Sequence, residues 1–393
     1  MPSFVRNTTT QLFFFVFCLF ISFSLAVEPV ERPQPLDITK IFLGREELCR
    51  EYGFEYALLF NYTQNLILNG THDDGKSLGL WYWNLELAQR LWKGGKVYLE
   101  LEMDKNKGID KLVPTFSWFN YNSSANASPY VPAFYFTQDL LEDKVFLAAG
   151  KLDPSIWFDT NAIANSADIQ FQSAALVNNL ILPFPIKSIG ALANFKPGES
   201  WYFRAGASTA TTTPTKTGFS NAFADQVFLV EFGLTPKWQG LAGNYRFIFC
   251  SDRQNLDYIN AEGTRRNNYS FALSFDQALN ERISLFARYG QADPKVNSIE
   301  YFWSAGGQLN EPIPGRKLDY LGLGVAQSML GNDYLQANGP GLAHSETMYE
   351  LYYSVRLKDY FLISPNLQYV NHPDAGASES EALACGVRFL LIF

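Results

Sequence analysis

Residues 382–393, ALACGVRFLLIF, alternate with period two and stop on an aromatic residue. Leu383, Cys385, Val387, Phe389, Leu391 and Phe393 share one face, which is wholly apolar. Ala384, Gly386, Arg388, Leu390 and Ile392 share the other, which carries small residues and a charge. A strand with one face toward hydrocarbon and one toward a polar interior reads this way. From residue 55 onward about sixteen segments repeat the pattern, most of them near the 9–11 residues that a tilted membrane-crossing strand needs. The clearest is 349–357: Tyr349, Leu351, Tyr353, Val355 and Leu357 point one way, Glu350, Ser354 and Arg356 the other. The fold class predicted is all-β, a transmembrane antiparallel barrel of about sixteen strands.

The connections support this independently. Short ones (91–95, 139–144, 196–200, 236–240, 277–281, 358–361) alternate with long ones (65–79, 104–130, 152–186, 208–226, 251–268, 328–348). Outer-membrane barrels combine short periplasmic turns with long external loops in this way. An even strand count then places both chain ends on the periplasmic side. Trp81, Trp83, Trp92, Trp201, Tyr245 and Tyr349 lie toward strand ends or on the outward register, as aromatic girdles do, although β-propensity alone also favours them.

Composition bounds the class. The chain is 47% hydrophobic, 16% aromatic and 18% charged, with 33 Phe and 21 Tyr. Its mean hydropathy of −0.10 argues against a helical membrane protein. A net charge of −8 offers no basic face for nucleic acid. Residues 12–26 form an apolar run behind Arg6 and ahead of Val27-Glu28-Pro29, the pattern of a cleaved signal peptide over 1–26. Residues 27–54 then read as a Pro-rich linker and a short helix over 37–53, and 55–393 as the barrel domain. Cys49, Cys250 and Cys385, left after the signal, are an odd number and read as small apolar residues, not as a disulfide framework or metal site. His72-Asp73-Asp74 lies in a polar turn-rich loop, and no nucleophile-elbow, Walker or Cys-x-x-Cys pattern is present, so neither an enzyme nor a cofactor is expected.

The third long connection, 152–186, is too long and too apolar to sit in water. Its stretch 171–182 reads as partly helical and is expected to fold into the barrel mouth as a constriction, with Asp153, Trp157, Asp159 and Asp168 at the narrowing. On the inward register lie Arg204, Arg246, Arg282, Arg288, Arg356 and Arg388, with Glu86, Glu100, Glu102 and Glu350. An Arg facing lipid at mid-bilayer costs about 2–4 kcal/mol, so these should line the lumen. A guanidinium fork can serve sugar hydroxyls and carboxylates, and inward Tyr82, Tyr98 and Tyr202 can stack on sugar faces. For any one of these residues, pairing across the lumen and merely filling it is the simpler role.

Four stretches resemble the OprB-type carbohydrate-selective porins of bacterial outer membranes. ELCREYGFEYALLFNYTQNLILN (47–69) is similar to that family's N-terminal helix and first strand. AAGKLDPSIWFDTNAIANSADIQFQSAALVNNLILPFP (148–185) is similar to its G-K/R-x-D/N…F…N…F-x-N/S…P block. SETMYELYYSVR (345–356) resembles its E-x-x-Y-E-x-Y-Y strand, and PNLQYVNHP (365–373) its P-x-x-Q-Y-x-x-x-P strand and loop. The resemblance implies a water-filled channel for small carbohydrates and other small solutes in the outer membrane. Its partners would be small sugars, outer-membrane lipid, the barrel assembly machinery (through the terminal aromatic Phe393) and further copies of the chain. The alternatives are a barrel serving mainly as surface adhesin or antigen, a general diffusion porin, and a soluble all-β lectin.

Overall fold

The computed structural model describes residues 45–122, 128–185, 187–210, 213–222 and 224–393. The expected signal peptide, the linker and residues 37–44 of the expected helix lie outside them. Sixteen long strands are present among the described residues. They are β1 (Phe54–Asn69), β2 (Ser77–Trp92), β3 (Gly95–Lys105), β4 (Tyr130–Leu140), β5 (Val145–Leu152), β6 (Ser188–Phe195), β7 (Trp201–Thr209) and β8 (Gln226–Leu234). Then follow β9 (Leu241–Asp252), β10 (Asn268–Ala278), β11 (Ile283–Ala292), β12 (Ile299–Asn310), β13 (Tyr320–Leu330), β14 (Ser345–Lys358), β15 (Phe361–Asn371) and β16 (Glu381–Ile392). Each pairs antiparallel with its chain neighbour, and β1 pairs with β16 from Leu59↔Ile392 to Asn69↔Leu383, which closes the barrel. Closure leaves no edge, the condition for a sheet to sit in lipid.

The period-two alternation sets the two faces. Phe232, Phe247, Phe249, Leu285, Leu323, Leu351 and Leu367 are exposed on the outside, while their chain neighbours point in and are covered. In β16, Leu383 to Leu391 alternate outward while Ala384, Arg388 and Leu390 are buried inside. Cys250 is buried inside and Cys385 is on the outer face. The first strands run further than expected: β1 and β2 reach 16 residues, and the first long connection shrinks to 70–76. β5 and β6, at 8 residues each, are half that length.

The two-residue turn Lys93-Gly94 between β2 and β3 needs its glycine. Gly94 has φ +76°, and a Cβ there would stand 2.5 Å from the Asp139 carbonyl. The helix α1 (Arg45–Tyr52) starts with Glu46 and Glu47, ends near Arg50, and buries Leu48 and Tyr52. It is anchored by Arg90, whose Nη2 donates to the Cys49 carbonyl at 2.8 Å.

The interior is not an empty tube. The 153–187 connection folds inward, and Phe171, the single helical turn α2 (Ala174–Val177) and Ile181 pack against Phe286, Phe302, Ala326 and Tyr352 of the wall. Phe158 and Leu182 pack against Leu192, Val227, Leu229 and Ile248. The expected partly helical stretch 171–182 therefore enters the barrel with only one helical turn. The described part of a second connection, residues 106–122, also turns in, with Ile109, Val113 and Phe119 against Ile67, Met348 and Val370.

Phe393 completes the seam between the ends. Its amide donates to the Leu58 carbonyl (2.8 Å), its carbonyl accepts from Leu58 N–H (2.9 Å), and its ring stacks on Tyr360 at 5.8 Å. Deleting Phe393 removes both bonds and the ring pair, the latter worth about 0.5–1.5 kcal/mol. The fraction of refolded, heat-modifiable barrel on gels should fall, with single-channel conductance unchanged in the molecules that fold. A full yield from the truncated chain would contradict this role of the seam.

Candidate functional site: an inward loop and an acidic, aromatic passage

A loop inside a barrel must find partners for its N–H and C=O groups. Here the inward charges of the wall supply them. Arg288, fully buried, donates from Nε to Asp159 Oδ1 (3.2 Å), from Nη1 to the Leu176 carbonyl (3.1 Å), and from Nη2 to the carbonyls of Asp159 (3.2 Å) and Ala164 (2.7 Å). Asp159 in turn accepts from Asn179 N–H at 2.8 Å. Arg388 Nη1 donates to the carbonyls of Ala167 (2.6 Å) and Gln170 (3.0 Å). Glu350 accepts from the amides of Gln172 (2.7 Å) and Ser173 (2.9 Å). Glu231 accepts from Asp159 N–H (2.9 Å), the Tyr202 hydroxyl (2.7 Å) and Arg204 Nη1 (3.2 Å). Arg204 also donates to the Trp157 carbonyl, with its guanidinium 5.0 Å from the Tyr202 ring centre. Glu346 holds the second inward connection through the amides of Phe116 (2.9 Å) and Ser117 (2.7 Å).

These placements correct part of the expected lumen lining. Arg288, Arg388, Glu350 and Tyr202 do point inward, but the loop covers them, so none borders open water. Arg246 is buried as well, in an ion pair with Asp276 at 2.8 Å. Arg282 belongs to the exposed turn before β11, where it donates to the Glu311 carbonyl, and does not reach the lumen. Arg356 lies at the short-turn end of β14, donating to the Asp359 carbonyl at 3.1 Å. Asp159 is a buried ion-pair member, and Asp153 caps the following turn by accepting from Ser155 N–H at 2.9 Å. Asp168 Oδ1 accepts from Asn61 (3.0 Å), Asn122 (3.1 Å) and the Tyr82 hydroxyl, which ties the loop to β1 and β2.

The loop packs on the wall from β5 round to β14 and also reaches β16, β1 and β2 through Arg388, Asn61 and Tyr82, so the inward side chains that keep exposure lie on β2–β4. Glu86 is exposed there, and Tyr98, Glu100, Glu102 and Tyr135 keep partial exposure. Lys187, at the end of the loop, reaches this wall: its Nζ donates to Glu100 Oε1 (2.8 Å) and Glu102 Oε2 (3.3 Å). Burial pulls the Lys187 pKa down, but the charges of Glu100, Glu102 and Asp153 outweigh it and hold the ammonium above the ordinary lysine value. Asn84 Nδ2 donates to Glu100 (2.6 Å), and the Tyr130 hydroxyl shares its one hydrogen between Glu102 (2.6 Å) and Asp104 (2.8 Å). Beside the carboxylates runs an aromatic ladder. Tyr98 and Tyr135 stack at 4.8 Å and 11°, and Trp157 of the loop meets Tyr135 edge-on at 5.5 Å.

Of the expected residues, the structure brings Tyr98, Glu100, Glu102 and Trp157 together. Glu86, expected as well, joins them; the structure adds Tyr135 and Lys187, and moves the arginines away from the opening. Glu231 had a sequence signal, a lone acid inside the apolar run VFLVEFGL. Lys187 had none, since it sits at φ +52° just ahead of β6.

A closed sixteen-strand barrel with an inward loop and an off-centre polar passage is the architecture of an outer-membrane porin. The chain belongs to the carbohydrate-selective porin, OprB family, whose model matches residues 81–393. Porin B of Pseudomonas aeruginosa is 28% identical over 127 residues, which is 28% of each chain. Porin AaxA of Chlamydia felis is 23% identical over 272 residues, 68% of this chain and 58% of that one. The matches thus span well under two thirds of these curated relatives. Among solved structures, OprB of Pseudomonas putida at high pH aligns over 93% of this chain and all of its own, with TM-score 0.78 at 17% identity. The outer-membrane channel DcaP of Acinetobacter baumannii aligns over 86% and 97%, with TM-score 0.55 at 12% identity. Family and fold are those of outer-membrane channel proteins.

Two outcomes follow from this geometry. Arg288→Met leaves Asp159 buried without its partner and should destabilise the barrel by about 3–5 kcal/mol. Urea unfolding in detergent micelles reads this, and a change under 1 kcal/mol, roughly the worth of an exposed pair, would contradict the clamp. Lys187→Gln leaves Glu86, Glu100 and Glu102 without their cation and should raise the cation-over-anion permeability ratio about fivefold, taking roughly 1 kcal/mol for a charge at contact distance in water. Reversal potentials in a salt gradient measure it, and an unchanged ratio would remove Lys187 from the passage.

Proposed function

We propose that the chain is a sugar-permeable outer-membrane porin, exported through a cleaved signal peptide over residues 1–26, that lets small carbohydrates and other small solutes diffuse through the passage between its third loop and β2–β4. No catalytic step is part of this reading. The observation that carries it is the family match, read together with the pairing of an aromatic ladder and a carboxylate row on one open wall. A sugar has apolar faces and polar edges. Tyr98, Tyr135 and Trp157 offer surfaces for the faces; Glu86, Glu100, Glu102 and Lys187 offer acceptors and donors for the hydroxyls. Exchange of hydration for such contacts must stay weak, or the solute would not leave. Partly exposed groups already bound to one another, as Glu100 is to Lys187 and Asn84, meet that condition.

Phe393 at the seam and the terminal aromatic pattern support recognition by the barrel assembly machinery as the route of insertion. Further copies of the chain remain candidate neighbours in the membrane.

Reconstitution into planar bilayers tests the reading. Ion conductance is expected, with concentration-dependent block by small sugars. Trp157→Ala should weaken that block several-fold, in line with about 0.5–1.5 kcal/mol for one aromatic contact. A bilayer without conductance would overturn the channel, and conductance indifferent to sugars would reduce it to general diffusion.

A further inference from the structure

The second inward connection is clamped on both sides of one residue. Glu346, buried on β14, accepts from the amides of Phe116 (2.9 Å) and Ser117 (2.7 Å). Asp110 accepts from the amides of Phe119 (2.6 Å) and Asn120 (3.1 Å) and from Asn120 Nδ2 (3.0 Å). Between the two clamps Trp118 stands at φ +46°, in the left-handed region that a bulky side chain rarely adopts. Its neighbours Ser117 and Phe119 are fully buried, yet Trp118 is 46% exposed.

This position is the outer mouth of the barrel. Ile109, Val113 and Phe119 pack against Ile67, Met348, Val370 and Ala382, which lie at the long-loop ends of β1, β14, β15 and β16. From there the chain crosses the third loop. The Ser117 carbonyl accepts from the Ser173 hydroxyl (2.9 Å) and the Ala175 amide (3.2 Å), and Tyr121 N–H donates to the Gln172 carbonyl (2.8 Å). Asn122 then donates to Asp168, which also accepts from the Tyr82 hydroxyl of β2. Residues 117–122 thus run along the third loop toward the first strand of the open wall, and Trp118 is the large apolar side chain that this stretch leaves to water. Turning the ring inward would remove apolar surface from water, and a glycine would relieve the backbone. The chain does neither, and a strained residue over-determined by its surroundings is characteristic of ligand sites.

We propose that Trp118 is a sugar-binding platform in the outer mouth, upstream of Tyr98, Tyr135 and Trp157: its ring takes the apolar face of a small carbohydrate arriving from the long-loop side, ahead of the passage beside β2–β4. This rests on the sugar-porin reading above. An indole offers a flat apolar surface and one N–H, which match the C–H face and a hydroxyl of a sugar ring. With the amides at 116, 117, 119 and 120 already held, little backbone freedom is left to lose when a sugar docks. One ring holds a sugar weakly enough for it to move on.

Glucose added on the long-loop side of channels in planar bilayers is the probe, and the on-rate of block, read from current fluctuations, is the observable. Trp118→Ala should lower that on-rate about two- to tenfold, as the loss of one aromatic contact implies. Trp118→Phe should keep most of it, and Trp238→Ala, in the exposed turn before β9, all of it. Trp118→Gly separates binding from structure: glycine suits the backbone here, so the on-rate should fall as in Trp118→Ala while the unfolding temperature in detergent does not. An unchanged on-rate in Trp118→Ala, with the wild type blocked by glucose, would overturn the platform alone. A wild type that conducts without any block by glucose would overturn the sugar reading beneath it and the platform with it. A Trp118→Gly barrel that unfolds several degrees lower would make Trp118 a structural residue and also overturn the platform.

Discussion

Everything inside this barrel depends on one requirement: a loop carried into the interior must have its backbone polar groups satisfied where little water reaches them. The inner wall meets it with charges. Carboxylates of Glu231, Glu346 and Glu350 take loop amides, and guanidinia of Arg204, Arg288 and Arg388 take loop carbonyls. Charge-assisted bonds of this kind are shorter and stronger than neutral ones. The apolar side chains of the loop then complete a packed core against the same wall, with Phe171 meeting Tyr352 edge-on at 4.9 Å.

That use of charge decides what the open passage looks like. Most of the inward arginines are consumed in holding the loop or in pairs such as Arg246 with Asp276, so the open side is left to Glu86, Glu100 and Glu102, one lysine and a run of aromatic rings. The passage is off-centre for the same reason: the loop lies on the wall it is bound to, and solvent keeps the remainder. The net result is a channel whose stability and whose selectivity draw on different charged residues.

The fold was legible because the barrel imposes one local rule, period two with an apolar outer face, on every strand. β16 and β14 could be read residue by residue, and Arg388 and Glu350 were correctly turned inward. The loop's entry into the mouth was legible from Phe171 to Leu182, too apolar for water. What alternation cannot carry is the next layer. It assigns a side chain to a face and says nothing of what lies over that face, so Arg288 and Arg388 read as lumen residues although the loop covers them. Arg282 failed for a simpler reason: it precedes the strand by one residue, where parity no longer holds. Lys187 was invisible because its place depends on the whole path of the loop before it.

The third loop, clamped by wall charges, covers the wall from β11 to β14 and leaves the lumen open beside β2–β4. Thiol accessibility measures this directly. In a background with Cys49, Cys250 and Cys385 replaced, single cysteines at Glu86 and at Ala326 would be treated with a charged, membrane-impermeant thiol reagent during bilayer recording. The account predicts that the cysteine at 86 reacts and lowers the conductance, while that at 326, under Phe171 and α2, stays protected. Rapid modification at 326, or an inert thiol at 86, would contradict it.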